Sequence, residues 1–358
     1  MENFLLILAG GKGKRLWPIS TDKLPKQFIN LFGDEIMINE TIRRVEKIFK
    51  YENIFVIINE EQYELAERYI DIKIPRENII TEPKARNTAM CIFLATLKIK
   101  KKKGDGVISI LSSDHYIEDY NKLQKALLNA IEVAKSGENL VTIGITPTYP
   151  ATGFGYIKYD KYKDNIDYYL VNEFKEKPNY EKAVEFINSN EYVWNSGMFV
   201  WKTETILLNF ERHLPNIYKF NHILYNAMQS AEESKIVKEV YGMVEPISID
   251  KGILEKADSI KMIKADFKWM DLGSIKDFFE MHPKDDNSNV LLGNSITNDV
   301  SCSYIYNNTD DLLVAIGINN LSIIKNNNVC IVCNNKNINE ISKIYEKLEN
   351  KEIYKKFM

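Results

Sequence analysis

The feature that most restricts this chain is a series of short, unbroken apolar runs, each closed by turn residues. Phe4-Leu5-Leu6-Ile7-Leu8 is the first, and it runs into Ala9-Gly10-Gly11-Lys12-Gly13-Lys14-Arg15. Residues 54–58, 107–111 and 140–145 repeat the pattern, and 78–81 is a shorter version. An apolar run without polar alternation marks a strand covered on both faces. Between these runs, residues 37–49 place Ile38, Ile42, Val45 and Phe49 on one helical stripe. Residues 60–70, 88–103 and 120–135 read as further helices. Buried strands alternating with helices predict an α/β fold built on a Rossmann-like, doubly wound, mostly parallel sheet.

Past Pro147 the alternation loosens. Residues 156–159 and 168–174 suggest antiparallel strands beside the sheet, followed by helices over 180–188, 203–212 and 216–231. A strand over 259–263 and a helix over 274–281 precede a polar, proline-containing stretch at 282–289. Short strands then follow (290–292, 303–306, 312–316, 321–324, 329–332), and a helix closes the chain over 339–348. The expected division is a large domain over 1–282 and a small β-rich domain with its closing helix over 283–358. A length of 358 residues suits that division at roughly 100–200 residues per domain.

Charge and composition exclude other classes. With 47 basic and 50 acidic side chains, the chain lacks the basic excess of a nucleic-acid binder. No apolar run approaches the roughly 20 residues that span a bilayer. Met1-Glu2-Asn3 lacks the positive flank of a signal peptide, so a cytoplasmic protein is expected. Lys98–Lys103 suits the end of a helix, where cations complement the dipole. Cys330 and Cys333 have the spacing of a zinc or redox pair, but in a strand they face opposite sides. With no second Cys/His pair nearby, they read as packing residues.

The loop after the first run carries chemistry. Gly10, Gly11 and Gly13 allow positive φ and close approach, so successive N–H groups can point at an anion. Lys12, Lys14 and Arg15 add positive charge there. Neither common phosphate fingerprint fits: Leu16 stands where a dinucleotide loop needs its third glycine, and no G-x-x-x-x-G-K-[ST] occurs. Taken alone, the loop could equally be a glycine turn with solvated lysines. Its sequel narrows the choice. Leu8 to Ser20, with Trp17-Pro18, followed by Pro25-Lys26-Gln27-Phe28, resembles the signature of the sugar-1-phosphate nucleotidyltransferases, in its mannose-1-phosphate guanylyltransferase branch. Thr21 stands where many members of that branch carry Arg.

The resemblance implies a nucleotidyltransferase, glycosyltransferase-A-like fold, with Ala9, Gly10, Gly11, Lys12, Gly13 and Lys14 wrapping the triphosphate of GTP. It implies Arg15 and Lys26 as cations on the phosphates being exchanged. Thr81-Glu82-Pro83-Lys84-Ala85-Arg86-Asn87-Thr88 is similar to the segment that family members set against base and ribose. Glu82 is the candidate for guanine, because a carboxylate accepts from the ring N–H and the exocyclic amine. Asn87 and Thr88 are helper contacts, and Asn87 can also cap the following helix.

Asp114, closing the run at 107–111, pairs with Asp271 of Trp269-Met270-Asp271-Leu272-Gly273-Ser274 to resemble the family's two-carboxylate Mg²⁺ site. Asp271 could otherwise cap the helix near Ser274. His115 reads as structural. Thr152-Gly153-Phe154-Gly155, Phe174-Lys175-Glu176-Lys177-Pro178 and Trp194-Asn195-Ser196-Gly197 resemble the sugar-phosphate pocket. Gly155 would give close approach, Glu176 and Asn195 would take sugar hydroxyls, and Lys177 the phosphate. Ser248-Ile249-Asp250-Lys251 also matches, with Lys251 where relatives often carry Tyr, and Asp250 receives no definite role.

The activity so implied is transfer of GMP from GTP to mannose 1-phosphate, giving GDP-mannose and pyrophosphate, with Mg²⁺ held by Asp114 and Asp271. The alternatives are a nucleotidyltransferase for another sugar phosphate or nucleotide, and a regulatory subunit that binds nucleotide sugar without catalysis. The β-rich tail is the expected element of a homodimer. Longer relatives in the branch carry a sugar-isomerase cupin, for which this tail is too short, so one activity is expected.

Overall fold

The computed structural model describes residues 1–11, 13–160 and 168–358. Lys12, expected at the phosphates, lies outside them. By contact the chain falls into two compact units that do not follow chain order. The first comprises residues 1–10, 38–113 and 117–269, and the second comprises 11–37, 114–116 and 270–358. Their limits differ from the expected division at 282. The glycine loop beyond Gly10 and both expected metal carboxylates belong to the second unit.

The first unit is built on a nine-stranded sheet. Its first half runs β1 (Glu2–Leu8), α1 (Met37–Val45), β2 (Ile54–Asn59), α2 (Tyr63–Tyr69), β3 (Ile79–Glu82), α3 (Asn87–Lys103) and β4 (Gly106–Ser112). β5 (His115–Ile117), α4 (Tyr120–Lys135), β6 (Leu140–Ile145), β7 (Gly155–Tyr159) and β8 (Tyr169–Lys175) follow. Then come α5 (Tyr180–Ser189), β9 (Tyr192–Lys202), α6 (Thr203–His213), α7 (Pro215–Tyr218), α8 (Asn221–Ala227), α9 (Glu233–Met243) and β10 (Ile260–Ala265). The strand order is β3-β2-β1-β4-β9-β6-β10-β8-β7.

β1 pairs in parallel with β2 and β4, and β2 with β3, so the order reverses beside β1. That is the switch point at which open α/β sheets expose a ligand crevice. Phe4 to Ile7 are completely buried, as two covered faces require. The parallel expectation holds for these four strands and for β6 with β10. β9 interrupts it, running antiparallel between β4 and β6. Sequence pattern predicts no strand there, because Asn195-Ser196-Gly197 looks like a turn. The chain absorbs that turn as a register shift opposite Thr142 and Gly144. α9 has no counterpart among the expected helices, and the single helix expected over 216–231 is divided into α7 and α8.

In the second unit, β11 (Trp269–Asp271) and α10 (Ile275–Glu280) lead into β12 (Val290–Gly293), β13 (Ser295–Ser301), β14 (Tyr304–Asn308) and β15 (Leu313–Asn319). β16 (Leu321–Asn326), β17 (Val329–Asn334) and α11 (Ile341–Glu349) complete the chain's main elements. β12, β14 and β16 form one parallel ladder and β13 with β15 another, so successive strands alternate between two sheets and the chain coils. β17 closes the first ladder antiparallel to β16. Ile305 and Ala315 fill the interior of the coil.

Leu16, Trp17 and Ile19 of the glycine loop's sequel pack in one core with Ile275, Phe278, Ile324, Ile341 and Tyr345. The small β-rich region therefore shares its core with the loop. No helix among the described residues is long and apolar enough to cross a membrane.

Gly293 turns at φ +84°, and a Cβ there would overlap the Asn307 carbonyl on β14. Gly293→Ala should lower the free energy of unfolding by about 2–4 kcal/mol, since strain and overlap coincide. Chemical denaturation would show this, and an unchanged midpoint would contradict the close approach.

Candidate functional site

Within the second unit, the residues from Gly11 to Phe28 form a loop stiffened by its own hydrogen bonds. Gly13 sits in the left-handed region at φ +70°, where a side chain would be strained. Its carbonyl accepts from the Ser20 hydroxyl at 2.6 Å, and the Gly11 carbonyl accepts from the Gln27 amide at 3.0 Å. A short 3-10 turn, Lys14–Leu16, carries both loop cations. Arg15 is exposed and lies beside Gly273, where a Cβ would stand 3.4 Å from its Nη1. Lys14 instead pairs with Glu349 of α11 and lies 5.4 Å from the centre of the Tyr345 ring.

Lys26 is 8% exposed. Its ammonium donates to the Leu272 carbonyl at 3.1 Å and pairs with Asp114. Burying an ammonium is costly unless it is paired and hydrogen-bonded in this way. Asp114 follows the end of β4, and Asp271 ends β11. The strands that carry His115 and Asp271 pair in a two-stranded sheet. Asp114, His115 and Asp271 can each offer a ligand atom within 4.8 Å of the others. Ser274, not Asp271, caps α10, its hydroxyl accepting from the Asp277 amide. Asp271 is thus excused from the capping role.

Two carboxylates are the donor set that a hard divalent cation takes together with water and phosphate oxygens. Imidazole suits softer ions better. The cluster fits a divalent metal held through Asp114 and Asp271.

In the first unit, β1 leads into Ala9 and Gly10, beneath which Glu82 is packed. A Cβ on Gly10 would stand 2.7 Å from Glu82 Oε1, and the Asn59 amide donates to the Gly10 carbonyl. Glu82 is 5% exposed, and its Oε2 accepts from the Tyr241 hydroxyl at 3.3 Å. Burial raises the Glu82 carboxyl to about 7, opposed in part by that hydrogen bond. Asn87 is the first residue of α3, at φ +61°, and its side chain accepts from the Thr88 amide at 2.8 Å; the N-cap position falls to Arg86, so Asn87 does not cap the helix. The Thr88 hydroxyl accepts from the Ile249 amide at 2.8 Å.

A second polar group gathers Gly155, Glu176, Lys177, Asn195 and Asp250. A Cβ on Gly155 would lie 2.6 Å from Glu176 Oε2, and Lys177 pairs with Glu176 at 3.1 Å. Both ends of the Asn195 amide are engaged within the protein. Its oxygen accepts from the Thr142 hydroxyl at 3.1 Å and the Gly197 amide at 3.3 Å, and its nitrogen donates to Asp250 at 2.9 Å. Burial, then the charge of Glu176, raises Asp250 to about 6. Asp250 opens a π-helical turn, Asp250–Leu254, a feature often found at functional sites. Sequence alone gives it no role. Its signal is the matching Ser-Ile-Asp stretch, obscured by the Lys251 departure.

A doubly wound sheet, a glycine loop with cations and a carboxylate pair define a class of phosphoryl-group chemistry. The chain belongs to the nucleotidyl transferase family, whose model matches residues 5–288. Within that family its relatives are mannose-1-phosphate guanylyltransferases. The one from Salmonella montevideo is 32% identical over 350 residues, spanning 96% of this chain and 73% of that protein. The Klebsiella pneumoniae protein is 33% identical over 347 residues, with the same coverage of both chains. A crystal structure from Thermus thermophilus, described as a mannose-1-phosphate geranyltransferase, superposes with a TM-score of 0.87 at 30% identity. It covers 98% of this chain and 100% of its own. The resemblance seen in the glycine loop and its sequel is thus met along nearly the whole chain.

The buried acids make stability depend on pH. The folded Glu82 pKa of about 7 lies above its ordinary 4.5, so the fold binds the extra proton and loses stability as pH rises through that window. Asp250 acts likewise between 3.8 and about 6. Glu82→Gln should therefore raise the melting temperature at pH 8 and leave it nearly unchanged at pH 4. Equal melting temperatures at both pH values would contradict the buried, charge-penalised carboxyl.

Proposed function

We propose that the chain transfers GMP from GTP to α-D-mannose 1-phosphate, releasing pyrophosphate and forming GDP-mannose. The observation that carries this reading is the assembly of Lys26, Asp114 and Asp271 beside a glycine loop that presents Arg15. The guanylyltransferase relatives support the choice of substrates.

The sugar-phosphate oxygen attacks the α-phosphorus in line, and the P–O bond to the departing pyrophosphate breaks. A phosphate monoester has a second pKa of about 6 and is mostly dianionic at pH 7, so no protein group need remove a proton. What the protein must do is hold two anions together and stabilise charge on the leaving pyrophosphate. Arg15 and Lys26 are assigned to the triphosphate, together with the N–H groups of Ala9 to Lys14. Lys177 is assigned to the sugar phosphate. Glu82 takes the guanine edge, with Asn87 and Thr88 at the nucleoside. Glu176 takes sugar hydroxyls, Gly155 lets the sugar approach, and Asn195 aims Asp250 into the same group. Asp114 and Asp271 would hold Mg²⁺, which would supply further neutralisation of phosphate charge.

Arg15→Ala and Asp114→Ala should each lower turnover by about 100-fold or more, the scale of losing one transition-state contact, and Arg15→Ala, at an exposed residue, should leave the melting temperature within a few degrees. Pyrophosphate release with GTP, Mg²⁺ and mannose 1-phosphate measures this, and near-normal rates in either variant would remove the assigned role. A panel of nucleoside triphosphates against mannose, glucose and fucose 1-phosphates tests the substrate choice.

We also propose a homodimer formed through the β13–β15 face. Ile296, Leu312, Val314 and Ile316 are each more than half exposed there, and Ile296 lies opposite Val314 in the ladder. An uncharged patch can face a second copy of itself without opposing like charges, and an open two-stranded sheet left bare invites uncontrolled pairing. Ile316→Lys should convert a dimer to a monomer in sedimentation analysis. A monomeric parent protein would overturn the assignment.

A further inference from the structure

The segment assigned to the base is gripped by an element that no sequence signal reveals. α9 brings Tyr241 against it in two ways. The Tyr241 hydroxyl donates to Glu82 Oε2 at 3.3 Å, and its backbone carbonyl accepts from Arg86 Nε at 2.8 Å. Just downstream, the Ile247 carbonyl accepts from the Ala89 amide at 3.1 Å, and the Ile249 amide donates to the Thr88 hydroxyl. Residues 82–89 are therefore tied to 241–249 at four points.

Tyr241 is completely buried. Its hydroxyl stays neutral and donating, because burial and the nearby Glu82 charge hold its pKa well above the usual value. The titratable groups facing Glu82 are this hydroxyl from α9 and the Cys91 thiol from α3, whose pKa burial also raises. A fixed donor sets the orientation of a buried carboxyl and favours its charged form against the burial that raises its pKa.

We infer that Tyr241 is a positioning residue that sets the choice of nucleobase by fixing the Glu82 carboxylate in the orientation that accepts from guanine. This rests on the reading of Glu82 as the guanine contact. Acting through Glu82, the hydroxyl affects how tightly guanine is held and leaves the reacting phosphates alone. Where guanine presents its ring N–H and exocyclic amine, adenine presents a bare ring nitrogen and a C–H, so a carboxylate fixed at that edge finds no pair of donors.

The test is calorimetric titration of the full chain with GTP and with ATP, in the presence of Mg²⁺, from pH 6 to 9. Tyr241→Phe removes one buried oxygen and preserves the ring, so the fold is retained. It should weaken GTP binding about tenfold at pH 7, the scale of a hydrogen bond to a charged group, and leave ATP binding unchanged. The pH at which GTP binding is half-maximal should move upward, because the carboxylate has lost the donor that favours its ionised form. Turnover at saturating GTP should be unaltered, and Glu82→Gln combined with Tyr241→Phe should bind GTP no worse than Glu82→Gln alone.

If Tyr241→Phe matches the parent while Glu82→Gln loses GTP, the positioning role is overturned and the base reading stands. If Glu82→Gln binds GTP as the parent does at every pH, the base reading falls and the inference with it. Equal weakening of GTP and ATP would also overturn it, since the hydroxyl would then serve the fold and not the base.

Discussion

The arrangement of cations in the second unit depends on one buried anchor, the Leu16-Trp17-Ile19 stretch that follows the glycine turn. Arg15 is exposed and Gly13 takes the left-handed conformation open to glycine. The loop's own hydrogen bonds are backed by burial behind it. Trp17 is 4% exposed and donates from its indole nitrogen to the Phe357 carbonyl at 2.8 Å. Asn326, at the end of β16, donates to the Pro18 carbonyl at 2.6 Å and the Ile19 carbonyl at 3.3 Å. Tyr345 packs edge-on to Trp17 and donates to Asp22 at 3.1 Å. Burying three large apolar side chains contributes about 1.5–3 kcal/mol each, enough to hold a loop that must tolerate dense positive charge. The β-rich region is, on this account, structural support for the glycine loop as well as a candidate dimer surface.

The first unit solves a different problem. It keeps two carboxyls, Glu82 and Asp250, where burial disfavours their charge, yet gives each a fixed donor, Tyr241 and Asn195. Such groups cost stability near neutral pH and gain strength as hydrogen-bond acceptors, because little water competes with them. A structure that retains them surrenders some stability near neutral pH. The tight packing under Gly10 and Gly155 belongs to the same arrangement, since each glycine leaves room for a carboxylate that a methyl group would displace.

Much of this is legible in order along the chain. β1, β2, β4 and β6 announce themselves as apolar runs because both their faces are covered, and α4 is legible to its ends because its stripe has a clean helical period. Arg15, Lys26, Asp114 and Asp271 stand out by motif resemblance, and all four fall in the second unit. β9 escapes because Asn-Ser-Gly imitates a turn, and only the ladders on either side make it a strand. β13 escapes because Ser295–Ser301 is mostly polar and its pairing partner lies beyond a whole coil turn. α9 carries no motif at all, so Tyr241 can be found only through its contact with Glu82. Lys14 looks like one more phosphate cation, but long-range folding brings it to Glu349.

Sequence by itself determined the class of fold, through apolar periodicity, and the family, through ordered motifs whose residue types suit phosphate and metal chemistry. Those are local properties: a strand's burial, a glycine's freedom and a lysine's charge are written in a few neighbouring residues. Tertiary structure decided which groups share an environment. It joined the glycine loop to the far end of the chain, gave Asn195 to Asp250, and set Tyr241 on Glu82. The physical reason is that hydrogen-bond partnership and the dielectric around a carboxyl depend on residues dozens to hundreds of positions away. No local pattern encodes them.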